Sequence, residues 1–187
     1  MISIYECPVR RSVMKKRIFT VALCLAMGMS MMAVGANAEN GYVTRGEFIG
    51  KLWELEGCPV INYLMMFDDV TSEGKYTEAI RWASGEKLAN GYGNGRFGTD
   101  DIITREQLAT ILYRYEQSKG GGFKGMWMFL LRFDDTAEIS EWAYEPMCWM
   151  TMNGIIEGDE NNNINPKSGI TQAEMEEIFA RFNAVER

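Results

Sequence analysis

Residues 102–117 have the sequence IITREQLATILYRYEQ, and two other segments align with them without gaps: YVTRGEFIGKLWELEG at 42–57 and GITQAEMEEIFARFNA at 169–184. Each copy has a threonine followed three residues later by Glu or Gln. This is the pattern of a helix capping box, in which the threonine hydroxyl accepts from the third helical amide and the third side chain accepts from the cap amide. The pairs are Thr44 with Glu47, Thr104 with Gln107, and Thr171 with Glu174. Three boxes in register predict three equivalent helix starts.

Apolar residues follow each capping box at helical spacing, as Leu108, Leu112 and Tyr115 do in the second copy. Each helix therefore has one face to bury, and equivalent faces of repeats bury most simply against one another. We expect a mainly α fold in which helices at about 44–57, 104–117 and 171–183 form a central three-helix bundle with approximate threefold symmetry.

A second pattern occurs twice between these helices, at about 67–102 and 133–168, and predicts two helical lobes. Each copy begins with FDDV or FDDT, continues with an amphipathic segment, and ends in a glycine- or asparagine-rich turn. We expect the aspartate pair to cap a short helix and the turn to use residues that tolerate positive φ, such as Gly91 and Gly93. Helix dominates, with at most a strand or two at the turns. Residues 78–97 align with 145–164, which pairs Trp82 with Trp149, Gly91 with Gly158 and Phe97 with Ile164.

The composition excludes several kinds of chemistry. The chain has 187 residues and no histidine, so no nucleophile has an imidazole base and no zinc site has a histidine ligand. Its net charge of −7 argues against nucleic acid and anionic membranes as partners, since both select basic surfaces. The glycine-rich stretch 91–98 lacks the lysine and the preceding strand of a phosphate loop. We expect a protein without catalysis, cofactor or nucleic-acid partner.

Residues 1–38 have the features of a secretory signal peptide. Three basic residues at 15–17 precede an apolar stretch at 18–34, and Ala-Asn-Ala at 36–38 is a small-x-small cleavage signature. Met14 is an alternative start, because a leader needs none of the residues before it. We therefore expect an exported acidic protein whose repeats occupy 42–187 and which has no membrane contact after cleavage. Cys58 and Cys148 remain in that product, and the sequence leaves their pairing open.

The order of these elements resembles S-layer homology repeats. That family's pattern is an FxDV start, a tryptophan-containing helix, a glycine-rich turn ending in an aromatic residue, and an I-T-R-x-E helix start. Here it is carried by EAIRWASGEKLANGYGNGRFGTDDIITREQLATILYRYE at 78–116, and by WAYEPMCWMTMNGIIEG at 142–158 followed by GITQAE at 169–174. The resemblance implies a mostly α-helical, pseudo-threefold unit in a secreted protein of the cell wall or cell surface. It also implies non-covalent binding to anionic secondary cell-wall polysaccharide of Gram-positive bacteria, often carrying a pyruvate ketal, as an S-layer or anchoring component.

The arginine of the family's T-R-x-E motif is its ligand-recognition residue, and the resemblance places that role on Arg45 and Arg105. The physical chemistry agrees, because an arginine at the first helical position lies beside free amides and the positive end of the helix dipole, which together hold a carboxylate. The third copy has Gln172 at this position, so we expect that pocket to be defective. The candidate supporting residues are Trp82, Trp142, Gly91 and Gly93, although tryptophans at helical spacing belong more often to a core than to a sugar site.

Two other kinds of site are disfavoured. Asp159, Asn161 and Asn163 have the spacing of the first ligands in a calcium loop, but isoleucines stand at 164 and 170, where such a loop needs glycine and a bidentate acid. The aspartate pairs at 68–69 and 134–135 are adjacent in sequence, whereas the two carboxyl groups of a glycosidase face one another across a sugar bond. We therefore expect neither a metal site nor a glycosidase.

The competing hypothesis is an exported protein-interaction module that keeps the repeat fold, has lost sugar binding, and recognises another envelope protein. Gln172 supports it, as does the lack of a recognisable lobe before Thr44 or after Thr171. Two inserts, 57–66 and 120–132, are rich in methionine and aromatic residues. They form either additional core or an exposed contact patch.

Overall fold

The computed structural model describes residues 41–125 and 129–185. The predicted signal peptide, with its alternative start at Met14, lies outside these residues. The described chain contains five α-helices, one short 3-10 helix and no β-strand, which confirms the mainly α class. None of its helices is long and apolar enough to cross a membrane. The elements are α1 (Arg45–Leu55), α2 (Thr77–Gly85), α3 (Arg105–Ser118), the 3-10 helix (Thr136–Glu138), α4 (Glu141–Met152) and α5 (Gln172–Ala184).

All three predicted capping boxes are confirmed. At the start of α3, Thr104 Oγ1 accepts from the Gln107 amide at 3.4 Å, and Gln107 Oε1 accepts from the Thr104 amide at 3.3 Å. The same reciprocal pair joins Thr44 with Glu47 at α1 and Thr171 with Glu174 at α5. Because the motif uses only neighbouring residues, it fixes where each helix begins before any tertiary packing is considered.

The residues just before the three capped helices form a closed ring of backbone hydrogen bonds. The Val43 amide donates to Ile170 O at 2.8 Å, the Ile170 amide to Ile103 O at 3.1 Å, and the Ile103 amide to Val43 O at 2.9 Å. These three residues occupy the same position in the three aligned segments, and all are buried. The ring is the pattern that three equivalent helix starts around one axis would produce.

Below this ring the helices meet through large side chains. Phe48 of α1 stacks on Phe179 of α5 with ring centroids 5.5 Å apart, and Tyr115 of α3 lies 6.1 Å from Phe182 of α5. The lobe helices pack on the outside, α2 on α1 and α4 on α3. The described chain therefore consists of two helix pairs, and α5 joins them through aromatic contacts.

The aspartate pairs do not cap helices, contrary to the sequence-based expectation. Asp69 instead accepts from the amides of Phe97 and Gly98, at 2.8 and 2.7 Å, at the far end of the glycine turn. Asp135 makes the same contact with the amides of residues 164 and 165 at 2.9 and 2.6 Å. Burial alone would raise the pKa of Asp69, but these hydrogen bonds outweigh it and lower the pKa. Each aspartate thus ties the start of its lobe to the end.

Among the described residues, Cys58 and Cys148 do not pair with one another. Cys148 is a free thiol on α4 and is fully buried, so a bond between Cys58 and Cys148 is absent. Burial raises the pKa of the Cys148 thiol to about 11, which keeps it protonated and unreactive at neutral pH.

The insert at 57–66 is partly core and partly exposed patch. Ile61 and Met65 pack against the core, whereas Val60, Leu64 and Met66 are each at least 80% exposed. In the second insert, Leu131 is 4% exposed and Leu130 is 68% exposed, while residues 126–128 lie outside the described chain. Each insert therefore contributes some side chains to the core and leaves others exposed, and the contact role of the exposed ones stays a prediction.

Candidate binding site

Arg45 lies at the start of α1, with its guanidinium enclosed by the turn of the first lobe. Its Nε donates to Phe97 O at 3.1 Å and its Nη2 to Asn90 O at 3.0 Å. The Tyr92 ring lies over it, with its centroid 4.8 Å from Cζ. Only 5% of the residue is exposed. The rings of Tyr92 and Phe97 thus cover the guanidinium of Arg45, where the sequence predicted a ligand groove.

The charge on Arg45 is compensated within the protein. Burial lowers the pKa of Arg45, and Tyr92, Asp101 and Asp69 oppose that effect. An arginine remains cationic under such a shift because its ordinary pKa is so high. Partial burial raises the pKa of the Tyr92 hydroxyl. Arg45 is thus a buried cation that holds two carbonyls of its own lobe.

Arg105 stands at the equivalent position of α3, and it lines an open cleft. We call this volume of about 260 Å³ the Arg105 cleft. The arginine side chain is 16% exposed, and its Nη2 pairs with Glu174 Oε1 at 2.6 Å. Its Nε is buried and donates to no acceptor among the described residues. In the repeat alignment, Asp159 and Ile164 take the places of Tyr92 and Phe97, so the two rings that cover Arg45 have no aromatic counterpart at Arg105.

The Arg105 cleft lies between the turn of the second lobe and α5. A second cation, Arg181, contacts Glu157 at 2.8 Å and Glu177 at 2.6 Å. The lining thus combines two arginines and four carboxylates with several buried isoleucine side chains. The remaining lining residues are Ile155, Ile156, Gly158, Asp159, Asn163, Ile164, Asn165 and Ile178.

Glu174 accepts hydrogen bonds from two different residues at this site. Its Oε2 accepts from the Thr171 amide at 2.9 Å and from the Thr171 hydroxyl at 2.7 Å, which closes the α5 capping box, while its Oε1 accepts from Arg105. Partial burial alone would raise the pKa of Glu174, but the hydrogen bonds from Thr171 and Arg105 outweigh it and lower the pKa. The group is therefore an anion held in place from both sides.

The backbone amides expected to be free at these helix starts are already used. The Arg45 amide donates to Asp101 O at 2.9 Å, and the Arg105 amide to Ser168 O at 3.0 Å. The capping threonine takes the third amide of each helix. These amides of α3 are therefore not available to a ligand at Arg105.

The four supporting candidates do not gather around Arg105. Trp82 is 4% exposed and packs against Tyr115 at 6.5 Å, so neither of its faces is open to a sugar. Trp142 is 52% exposed on α4 and is not part of the cleft lining. Gly91 and Gly93 belong to the turn around Arg45, where a Cβ at Gly91 would approach Arg96 O to 2.5 Å and Gly93 has φ +82.

Two features of this site were missed by the sequence analysis, although the aligned repeats contain both. Asp159 and Tyr92 each follow the first glycine of their turn, and this difference contributes to whether the arginine is covered. Glu174 and Gln107 are both capping residues, but only the glutamate is charged. Arg181 aligns with Arg114 of the second copy, but the sequence analysis singled out neither of them.

The oxygens of Asp159 organise the turn in which it lies. Oδ1 accepts from the amides of Asn161 and Asn163 at 2.9 and 3.0 Å, and Oδ2 accepts from Asn165 Nδ2 at 2.9 Å. These hydrogen bonds lower the pKa of Asp159, and the one from the Asn163 amide contributes most. The spacing that resembles a calcium loop is thus used here for turn formation.

The model of the S-layer homology domain matches residues 67–109 and 132–176. Each match covers one lobe and the beginning of the capped helix that follows it. The chain belongs to the S-layer homology family. The Arg105 cleft lies where two S-layer homology repeats meet, because Arg105 belongs to the first matched segment, whereas Asp159 and Glu174 belong to the second.

Several known proteins contain a region similar to this chain. It is 33% identical over 142 residues to an amylopullulanase of Thermoanaerobacterium thermosulfurigenes, a match covering 75% of this chain and 7% of that protein. It is 28% identical over 118 residues to the surface-layer 125 kDa protein of Lysinibacillus sphaericus, covering 62% and 10%. It is 24% identical over 124 residues to a cellulosome-anchoring protein of Acetivibrio thermocellus, covering 64% and 26%. The chain therefore spans about a quarter or less of each relative.

Proposed function

We propose that this S-layer homology protein attaches non-covalently, without catalysis, to anionic secondary polysaccharide of a Gram-positive cell wall. The observation that carries the proposal is Arg105, whose buried Nε has no acceptor among the described residues and which borders an open cleft. A buried donor left unpaired is costly, so a ligand acceptor there gains more than an exposed contact would.

Arg105 would recognise a carboxylate on the polymer, such as that of a pyruvate ketal. A guanidinium presents donors in a planar fork, and Nε together with one terminal nitrogen matches the two oxygens of a carboxylate. The isoleucine side chains of the cleft would pack against apolar faces of the sugar. Arg45 would contribute indirectly by holding the first lobe in shape, because its own donors already bind Phe97 O and Asn90 O.

The place of action follows from the family and from the predicted leader. A surface-layer protein and a cellulosome-anchoring protein share this type of repeat, which supports a role at the cell surface. The sequence of residues 1–38 supports export by a signal peptide. The protein would then be an S-layer or anchoring component of the wall.

Sedimentation with purified cell walls tests the proposal. The mature protein should pellet with intact walls and stay in the supernatant after the secondary polymer has been removed chemically. Glycan strands without that polymer serve as the control for non-specific adhesion. Equal pelleting with both preparations would show that the polymer is not the ligand.

A second candidate is a protein-interaction module, and the exposed part of the first insert favours it. Val60, Leu64 and Met66 place large apolar side chains in solvent, as a docking surface for another envelope protein would. Replacing Leu64 and Met66 together by serine distinguishes the two functions. Binding to walls that retain their proteins should be unaffected under the polysaccharide proposal and lost under the protein-interaction proposal.

A further inference from the structure

The carboxylate of Glu174 occupies the place at Arg105 that a ligand carboxylate would need. Its Oε1 lies 2.6 Å from Arg105 Nη2, while the neighbouring Nε of the arginine donates to no acceptor among the described residues. The structure assigns Glu174 as an internal competitor that sets how tightly the Arg105 cleft holds carboxylate ligands. This assignment rests on the proposed function, because it concerns the selectivity of the same site.

Glu174 can release Arg105 without losing its own position. Its two oxygens serve different partners: Oε2 stays with Thr171 in the capping box, and only Oε1 contacts the arginine. An incoming carboxylate therefore exchanges one charge-assisted hydrogen bond for another, and α5 keeps its cap. The net affinity is the difference between two similar contacts, so a change in the internal one alters ligand binding directly.

The equivalent capping residue at Thr104 shows which substitution is suitable. Gln107 closes the α3 capping box with a neutral amide, and its Oε1 accepts from the Thr104 amide. Glu174→Gln should therefore keep the cap of α5. The single amide oxygen is then used by the cap, and the amide nitrogen left facing Arg105 is a donor that cannot accept from the guanidinium.

The same cleft offers a matched control in Glu177. This carboxylate also lines the cleft, but it pairs with Arg181 at 2.6 Å and is 60% exposed. Glu177→Gln removes the same unit of charge from the same surface and leaves the contact between Arg105 and Glu174 unchanged. The comparison separates occupation of Arg105 from the general electrostatic effect of a less acidic cleft.

The test is an NMR titration with sodium pyruvate, a simple carboxylate, at constant ionic strength. The backbone amides of Gly158 and Asp159 report on the cleft in the parent protein and both variants. We expect the dissociation constant to fall roughly tenfold in Glu174→Gln and by less than about threefold in Glu177→Gln. Equal effects of the two substitutions, or no change in Glu174→Gln, would overturn the assignment.

Wall sedimentation separates failure of this assignment from failure of the proposed function. If Arg105→Ala pellets with walls as the parent does, the proposed function of the cleft is wrong whatever pyruvate does. If wall binding requires Arg105 while Glu174→Gln and Glu177→Gln have similar affinities for pyruvate, only the competitor role is wrong. Tighter wall binding by Glu174→Gln than by Glu177→Gln supports both.

Discussion

Arg45 and Arg105 occupy the same position in two aligned repeats, yet their surroundings differ. Both follow a capping threonine at the first turn of a helix, and both face the turn of a lobe. Tyr92 and Phe97 cover Arg45, whereas the aligned residues Asp159 and Ile164 line an open cleft beside Arg105. The comparison teaches that side chains of the neighbouring turn decide whether the arginine at this position is covered or borders a cleft.

The largest expected difference between the two sites is in stability. Arg45→Ala should lower the free energy of unfolding by about 3 kcal/mol, because it leaves Asn90 O and Phe97 O without a donor and removes a buried, packed side chain. Arg105→Ala should cost at most about 1 kcal/mol, the scale of a partly exposed ion pair. Urea denaturation of both variants measures the difference. Equal losses of unfolding free energy would mean that the two arginines contribute equally to stability, which would contradict the comparison.

A substitution that removes the Tyr92 ring from Arg45 tests the same comparison. Tyr92→Ala should cost about 1–2 kcal/mol through loss of the cation–π contact, and the Arg45 Nε proton should exchange with solvent faster. Tyr42→Ala is the matched control, since Tyr42 is 47% exposed and Tyr92 45% exposed. Denaturation and hydrogen exchange monitored by NMR report the two effects. An unchanged Nε exchange rate would show that the ring is not what encloses the guanidinium.

The smallest expected effects are those that the two sites share. Thr44→Ala and Thr104→Ala each remove the side chain of a complete capping box, so each should cost about 1 kcal/mol. The two losses should agree within about 0.5 kcal/mol in urea denaturation. A larger difference between the two losses of unfolding free energy would indicate that the repeats differ in their caps as well as in their lobe turns.

The sequence predicted those parts of the fold that depend on neighbouring residues. The capping boxes were correct because Thr104 and Gln107 satisfy each other within one helical turn. The aspartate pairs were misassigned for the opposite reason. Asp69 accepts from amides 28 and 29 residues away, whereas helix capping would use amides within the next few residues. Long-range acceptors of this kind are visible only once the lobe has closed.

The surroundings of the two arginines could not be predicted from the sequence. The distinction between Arg45 and Arg105 depends on residues of the lobe turns, such as Tyr92 and Asp159, whose side chains approach the arginines only in three dimensions. The expected free amides at the helix starts are occupied by carbonyls of Asp101 and Ser168, again from distant parts of the chain. Repeat alignment therefore locates equivalent positions, but it does not show which of them remain open.

The most direct test of the central claim is the affinity of Arg105→Ala for purified walls that retain their secondary polymer. Arg96→Ala is the control, because it removes the same charge from an arginine that is 56% exposed outside the cleft. We predict that Arg105→Ala weakens wall binding by about 10- to 100-fold, the scale of one charge-assisted contact, with an unchanged circular dichroism spectrum, while Arg96→Ala binds as the parent does. Undiminished wall binding by a folded Arg105→Ala protein would contradict the account.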